Sequence, residues 1–377
     1  MTTKSSLIYD YSLADLTVLL TTWGEPSYRA KQIWEGLYKH IYDTPTQFTN
    51  IPKHLLKKLE QEFEWRAFSP VTTLESSDRQ TIKTLLKLRD GNLIEAVLMK
   101  YGDPADYFVD QDTSHLIATK PKGSSQTRHE KKRRTLCISS QVGCGMGCVF
   151  CATGQMGFKR NLSSGEILAQ VLHYARMLKK VEERVTNVVL MGMGEPFQNY
   201  DNVMAAIDRL NASDGFAMGA RRFTISTVGL VPAILRFADE QRQINLAISL
   251  HQTDDERRSE IMPVNRKWGL DELLDACRYY TQQTNRRLTF EWALIQGVND
   301  SEATATELAG RLKGIHCHVN AIPLNPTGGY SGKATNQQQA ANFKKTLELS
   351  GIPCTIRMRR GIDISAGCGQ LAGSFEF

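Results

Sequence analysis

The sequence predicts an α/β protein in which a partial (β/α)6-type barrel follows a small N-terminal accessory domain of helices and a β-hairpin. Three observations support this fold class. Short apolar segments alternate with helical segments from Thr135 onward, which is typical of a parallel sheet with helical crossovers. The first hundred residues have a different periodicity, and a polar stretch separates the two regions. We therefore expect domains at residues 1–100 and 135–377, joined by an insertion or linker at 101–134.

Composition limits the class of protein. The chain has 377 residues, of which 41% are hydrophobic and 23% charged, as in ordinary globular proteins. No apolar run is long enough to cross a bilayer, and the first residues lack a signal-peptide pattern, so we expect a cytoplasmic protein without membrane contact. The net charge of +6 is explained by solubility alone, although it is compatible with a polyanionic partner.

The accessory domain begins with helical signals. Ser12 is placed to cap a helix that stops at Gly24, and Pro52 opens a later helix. Between them, one helical face carries the apolar residues Ala30, Ile33, Trp34, Leu37 and Ile41. The pattern then changes to that of strands, with a tight turn at Asp90-Gly91.

The polar segment ends in a basic cluster. Its members are Arg128, Lys131, Lys132, Arg133 and Arg134. Two interpretations stay open: a solvated loop, or a contact with RNA phosphates.

The barrel region contains a series of strand segments. They are "TLCIS", "TNVVLMGMG", "RFTISTVG", "NLAISLH", "LTFEWALI", "HVNAIPL" and "TIRMRR". The helix after the first strand starts with a capping box, Ser163 to Glu166, and is expected to reach about Lys180. Functional side chains of such a sheet lie at the carboxyl ends of its strands.

Three closely spaced cysteines follow the first of these strands. Cys144, Cys148 and Cys151 form a C-x-x-x-C-x-x-C pattern in "CGMGCVFC". Structural zinc usually requires a fourth ligand, often from a second distant pair. An iron–sulfur cubane held by three cysteines keeps one iron free for substrate. Cys277, Cys317 and Cys354 lie in helical or strand patterns and are expected to be inert.

This pattern resembles that of the radical S-adenosylmethionine (SAM) superfamily. The resemblance implies one [4Fe-4S] cluster, whose open iron is chelated by SAM and whose electron cleaves SAM to a 5′-deoxyadenosyl radical. Two strand ends are suited to binding SAM: "MGMGEP" with Gly194 and Glu195, and "ISLH" with Ser249, Leu250 and His251. The glycine permits close backbone approach, and the carboxylate can accept hydrogen bonds from an ammonium group. Without this context, His251 is most simply a hydrogen-bonded core histidine.

Two further cysteines extend the resemblance to one family. Cys137 precedes the trio, and Cys368 lies between glycines near the C-terminus, but the sequence does not show that these thiols meet. The stretches "TLCISSQVGCGMGCVFCATGQMGFKRNLSSGEI", "RRFTISTVGLVP", "IPLNP" and "GIDISAGCGQLAG" resemble the RlmN dual-specificity RNA methyltransferases. That family methylates carbon 2 of adenine in 23S rRNA and in some tRNAs.

The resemblance implies specific roles. Cys368 takes a methyl group from one SAM, a second SAM supplies the radical, and Cys137 resolves the resulting protein–RNA adduct as a disulfide. Glu95 matches the family's proton acceptor, although from the residues alone it is an ordinary strand carboxylate expected to face solvent. The resemblance also implies SAM contacts at Ser226 and Asn325, in addition to those at Gly194, Glu195, Ser249, Leu250 and His251. The family also implies a monomer and an electron donor such as flavodoxin.

Three alternatives stay open. The sister family Cfr shares the cysteines and methylates carbon 8 of the same rRNA adenine, although the motifs around Asn325 and Ser226 are nearer to the carbon-2 family. A zinc-bearing, non-catalytic RNA-binding module would use the trio structurally. Another radical SAM enzyme with a non-RNA substrate is disfavoured by Cys137 and Cys368.

Overall fold

The computed structural model describes residues 6–102 and 132–373 and confirms the α/β class with an N-terminal accessory domain. Its strands are β1 (Ser6–Leu7), β2 (Phe63–Glu64), β3 (Phe68–Glu75), β4 (Thr81–Leu88), β5 (Leu93–Tyr101), β6 (Arg133–Cys137), β7 (Gln141–Gly143), β8 (Phe158–Asn161), β9 (Asn187–Leu190), β10 (Phe223–Thr227), β11 (Asn245–Ser249), β12 (Leu288–Leu294), β13 (Cys317–Pro323) and β14 (Cys354–Ile356).

Helices cover the sheet and pack in the N-terminal region. They are α1 (Leu13–Thr22), α2 (Tyr28–Tyr38), α3 (Lys53–Glu62), α4 (Ala152–Gln155), α5 (Ser164–Lys179), α6 (Tyr200–Asn211), α7 (Val231–Asp239), α8 (Asp255–Ile261), α9 (Leu270–Thr284), α10 (Glu302–Leu312) and α11 (Gln337–Leu349). Among the described residues, no helix combines the length and apolar composition needed to cross a membrane.

One sheet carries both the barrel and the hairpin. Its order is β14-β13-β12-β11-β10-β9-β6-β5-β4-β3. Strand β6 and strands β9 to β14 run parallel to one another, as the alternation of strands and helices predicted. Their carboxyl ends consequently meet at one edge, where the cysteine loop and the C-terminal segment also lie.

The predicted hairpin is an extension of this sheet. Strands β4 and β5 pair across the turn at Asp90-Gly91, where Gly91 has φ +84°. Strand β5 then pairs antiparallel with β6, in the register Val97 to Cys137. The predicted boundary at residue 100 lies near the end of β5, which is hydrogen-bonded to β6, so Glu95 and Cys137 belong to one continuous sheet.

The N-terminal helices dock on the start of α5. Ser12 and Asp15 form a capping box at α1, as the sequence predicted for Ser12. The Asp10 carboxylate accepts a hydrogen bond from the Gly165 amide at 2.7 Å. Arg209 donates to the carbonyl oxygens of Tyr9 and Asp10 at 2.6 and 2.8 Å. A Cβ at Gly165 would lie 2.9 Å from the Tyr9 carbonyl carbon, so glycine allows this close approach.

The described part of the basic cluster is engaged within the protein. Arg128 and Lys131 lie outside the described residues. Arg134 is 2% exposed, and its guanidinium contacts both carboxylate oxygens of Glu183 at 2.5 and 2.8 Å. Lys132 contacts the same carboxylate at 3.1 Å. Hydrogen bonding to Arg134 lowers the pKa of Glu183 to about 2 despite partial burial, so Arg134 is a buried ion-pair partner of Glu183, whereas Lys132 and Arg133 are exposed.

Candidate active site

Two adjoining cavities open at the carboxyl edge of the parallel strands. The first has a volume of about 980 Å³, including its mouth, and the cysteine loop forms one wall. The second measures about 690 Å³ and lies towards β5 and β6. Both are lined by Met191, Ile322, Asn325, Cys368 and Leu371. Cys368 therefore stands where the two cavities meet.

The cysteine loop is held between the short strands β7 and β8. The Cys144 amide donates to the Gly157 carbonyl at 2.9 Å, and the Val149 amide donates to the Ile261 carbonyl at 3.1 Å. Gly143 has φ +70°, and a Cβ there would lie 1.9 Å from the Gly157 oxygen. The loop therefore depends on glycine at this position. An apolar shell surrounds the loop, formed by Met146, Val149, Phe150, Val228, Ile261, Met262 and Val264.

The three thiols provide the donor chemistry of an iron–sulfur cluster. Burial raises the pKa of Cys144 to about 12, and burial and the neighbouring thiols Cys151 and Cys144 raise the pKa of Cys148. The donor set and the apolar shell fit a [4Fe-4S] cluster.

Gly194 and Glu195 follow β9 and form part of the first cavity. Gly194 has φ +100°, and a Cβ there would lie 2.5 Å from the Gln141 side chain. The Glu195 carboxylate accepts hydrogen bonds from the Phe197 and Val228 amides, both at 2.9 Å. Burial nevertheless raises the pKa of Glu195 to about 7. A bound cation such as an ammonium group would stabilise the ionised carboxylate.

His251 is a neutral donor to the first cavity. Burial, with Arg258 nearby, lowers its pKa to about 3. Its Nδ1 accepts a hydrogen bond from the Ala293 amide at 2.9 Å, so the proton is on Nε2. The ring meets Phe150 of the cysteine loop edge-to-face, with centroids 5.0 Å apart. The backbone of His251 has φ +62°, which is uncommon for a residue other than glycine.

The other predicted SAM contacts divide into two groups. Ser226, Ser249 and Asn325 line the first cavity. Asn325 donates through Nδ2 to the Cys368 carbonyl at 3.0 Å, while its buried Oδ1 has no partner among the described residues and is available to a ligand. Leu250, in contrast, is 1% exposed and packs in the main core rather than lining the cavity.

Cys137 and Cys368 share the second cavity. Burial, and next the proximity of Cys368, raises the pKa of Cys137 to about 12. Desolvation of the Cys368 thiol, and next the carboxylate of Glu291, raises its pKa to about 11, although the residue as a whole is exposed. Both are free thiols in this structure. The fold thus brings together two cysteines that the sequence alone could not connect.

Glu95 corrects the expectation drawn from the residues alone. It is 0% exposed rather than solvent-facing, because both faces of β5 are covered at this position. Its Oε1 pairs with Lys83 at 3.0 Å, and its Oε2 accepts hydrogen bonds from the Ala372 and Gly373 amides at 2.7 and 3.2 Å. The carboxylate therefore contacts the C-terminal segment that carries Cys368, and it lines neither cavity.

Two charged groups of the site were not predicted from the sequence. Glu291 lines the first cavity and accepts a hydrogen bond from Asn320 at 2.7 Å. Burial raises the pKa of Glu291, and Arg357 opposes the shift. Arg357 lines the second cavity beside Cys368. The sequence does contain a signal for Glu291, namely a single carboxylate in the otherwise apolar strand "LTFEWALI". Burying a carboxylate in a strand costs free energy, so its presence there indicates a specific role.

Known protein families and relatives match this chain in both of its regions. Residues 138–309 match the model of the radical SAM superfamily, and residues 7–64 match the ribosomal RNA large subunit methyltransferase N-terminal domain. The dual-specificity RNA methyltransferase RlmN 1 of Myxococcus xanthus is 44% identical, over 99% of this chain and 96% of that protein. The chain belongs to the RlmN family.

Other members of the RlmN family are similar over the same extent. A probable dual-specificity RNA methyltransferase RlmN of Clostridium perfringens strain SM101 is 41% identical, over 98% of this chain and 97% of that protein. The crystal structure of a radical SAM methyltransferase from Sphaerobacter thermophilus has a TM-score of 0.88 and 43% identity, covering 98% of this chain and 100% of that one. The match therefore includes the N-terminal helices, the hairpin and the barrel.

Proposed function

We propose that this protein is a radical SAM RNA methyltransferase that methylates carbon 2 of adenine in 23S rRNA and in tRNAs. The observation that carries the proposal is the position of Cys368 between two cavities, one bordered by the cysteine trio and the other by Cys137. An S-methylcysteine at this junction can be reached by a cofactor in the first cavity, and the adduct formed from it can be attacked by Cys137 from the second cavity. Membership of the RlmN family supports the same reaction.

The first cavity suits the cofactors. Cys144, Cys148 and Cys151 would ligate one [4Fe-4S] cluster, leaving an iron for SAM. Glu195 and the backbone at Gly194 would hold the SAM amino group, and His251 would donate through Nε2. The polar strand-end residues Ser226, Ser249 and Asn325 would orient the remainder. When bound, the cluster and two SAM molecules per turnover supply one methyl group and one 5′-deoxyadenosyl radical.

Cys368 is the methyl carrier in this proposal. Its thiol must lose a proton to attack the methyl group, and Arg357 favours the thiolate while burial and Glu291 oppose it. Removal of a hydrogen from the S-methyl group leaves a carbon radical attached to Cys368. That radical adds to carbon 2 of adenine, which lies between two ring nitrogens and is a poor nucleophile for ordinary methyl transfer. The product is a covalent protein–RNA adduct.

Cys137 and Glu95 complete the reaction. Glu95 would accept the proton from carbon 2, which requires the C-terminal segment to release its carboxylate, and the unpaired electron of the adduct would return to the oxidised iron–sulfur cluster. The Cys137 thiolate then attacks the Cys368 sulfur: the sulfur–carbon bond breaks, a disulfide forms, and the departing carbon takes a proton to become the methyl group. Cellular thiols reduce the disulfide. An electron donor such as flavodoxin and a monomeric, cytoplasmic enzyme complete the proposal.

The decisive experiment is the location of the methyl group. Anaerobically reconstituted protein is incubated with SAM, a reductant and protein-free 23S rRNA or tRNA, and the digested nucleosides are separated by mass spectrometry. We expect 2-methyladenosine from both RNAs. Finding 8-methyladenosine would assign the sister Cfr reaction instead. A colourless protein with stoichiometric zinc and no methylated product would indicate the RNA-binding module.

A further inference from the structure

The Cys368 segment is held by a buried ion pair on the hairpin. Lys83 of β4 and Glu95 of β5 have side chains that are 3% and 0% exposed, and their charged atoms are 3.0 Å apart. The two residues lie on adjacent strands, where Lys83 pairs with Val97 and Leu85 pairs with Glu95. Placing two charges in the interior is unfavourable unless further polar contacts compensate for the lost hydration.

The ion pair makes such contacts with the C-terminal segment. Lys83 donates to the carbonyl oxygen of Ser365 at 3.2 Å. Glu95 accepts hydrogen bonds from the amides of Ala372 and Gly373 at 2.7 and 3.2 Å. The ion pair therefore contacts the chain on both sides of Cys368, three residues before it and four to five residues after it.

A second set of contacts fixes the same segment from the barrel. The Ala152 amide, next to Cys151, donates to the Gly369 carbonyl at 2.8 Å. Asn325 donates to the Cys368 carbonyl at 3.0 Å, and Thr153 donates to the Leu371 carbonyl at 2.5 Å. The position of the Cys368 thiol between the cavities thus depends on both attachments, one from the cysteine loop and one from the hairpin.

We propose that Lys83 is a positioning residue for the reaction, which acts by holding the Cys368 segment through Ser365 and through Glu95. An ammonium group has several donors, so one side chain can bridge the carbonyl and the carboxylate at once. An apolar replacement would leave the Glu95 charge buried without its cation. The inference rests on the proposed function only in taking Cys368 as the methyl carrier.

Hydrogen exchange of the intact, cluster-loaded protein tests the attachment without substrate. In Lys83→Met, we expect the amides of Ala372 and Gly373 to exchange about tenfold faster or more, because the acceptor that protects them is no longer fixed. A peptide from β12 serves as the internal reference for global opening. Lys87→Met is the matched control, since Lys87 lies on the same strand but is exposed, and its exchange should equal that of the wild type.

A second variant covers the case in which the unpaired charge prevents folding. Lys83→Met with Glu95→Gln removes both charges, while the glutamine oxygen can still accept from the two amides. We expect the Ala372 and Gly373 amides to be partly re-protected and the Ser365 end to remain released. Wild-type exchange throughout the segment in either folded variant would overturn the proposal.

The catalytic readout separates positioning from general damage. Lys83→Met should still cleave SAM to 5′-deoxyadenosine at a rate close to that of the wild type, but should form at least about tenfold less S-methyl-Cys368 per protein. An equal loss of both activities would indicate a merely structural role and refute the assignment. The hydrogen-exchange experiment uses no RNA. A negative result would therefore refute the role of Lys83 without affecting the experiment that locates the methyl group.

Discussion

In the proposed reaction, the resolution step should have an unusual pH dependence, because the Cys137 thiol is poorly ionised. Burial is the main reason that its pKa is raised to about 12, and the neighbouring Cys368 thiol is the second. Attaching RNA to Cys368 removes only the second cause. At pH 8 a thiol with a pKa of about 12 is ionised in about one molecule in ten thousand, against about one in four for an ordinary cysteine.

We therefore expect decay of the protein–RNA adduct to accelerate about tenfold for each pH unit between 7 and 9, without reaching a plateau. The adduct is formed in a single turnover at pH 7, transferred to the test pH, quenched with acid and measured on a denaturing gel with labelled RNA. Cys137→Ala provides the matched protein, in which the adduct should persist at every pH.

Two results would refute this reasoning. A plateau above about pH 8.5 would mean that Cys137 ionises like an exposed thiol. An adduct that decays equally fast in the Cys137→Ala protein would mean that another group resolves it.

Two further changes test the fold around the site. Gly192→Ala should destabilise the protein by about 1–3 kcal/mol in urea unfolding, because the added Cβ would lie 2.6 Å from the Ile138 oxygen. Gly310→Ala in α10, where an added Cβ would have nothing within 4 Å, should instead stabilise the protein by about 0.5–1 kcal/mol. Equal effects of the two substitutions on the free energy of unfolding would contradict the predicted clash at Gly192. Burial, with Arg176 nearby, lowers the pKa of His173 to about 4, so the unfolded chain binds its proton first and stability is lost as pH falls from 6.5 towards 4. His173→Phe should remove up to about 3 kcal/mol of that loss, and a pH profile identical to the wild type would refute the assignment.

Much of the barrel could be predicted because its strands are buried on both faces. Strands such as β11 and β12 appear as short apolar runs between helical segments, and the structure contains each predicted one. The capping box at Ser163 likewise marks the start of α5. The joining of the hairpin and the barrel in one sheet could not be predicted. The pairing of β5 with β6 is a contact between distant segments of the chain, and local periodicity carries no information about it.

The candidate site was predictable where a residue type and its spacing carry chemistry by themselves. The cysteine trio belongs to this class, whereas the "GMGE" turn gained its meaning only from its position at a strand end downstream of the trio. Glu95 did not belong to this class, because alternation along β5 cannot reveal that the C-terminal segment covers its second face. The meeting of Cys137 with Cys368 depends on the whole sheet being assembled, and only the family resemblance suggested it beforehand.

The junction between β5 and β6 has a consequence for variation in length among related enzymes. The chain leaves the sheet at Tyr101 and re-enters it at Arg133, and these two residues are direct partners in the ladder. The register that places Glu95 and Cys137 is therefore set by strands on either side of one exit point, whatever number of residues connects them. Replacing 103–131 by a tight turn should therefore preserve the pairing of β5 with β6 and, with it, the positions of Glu95 and Cys137.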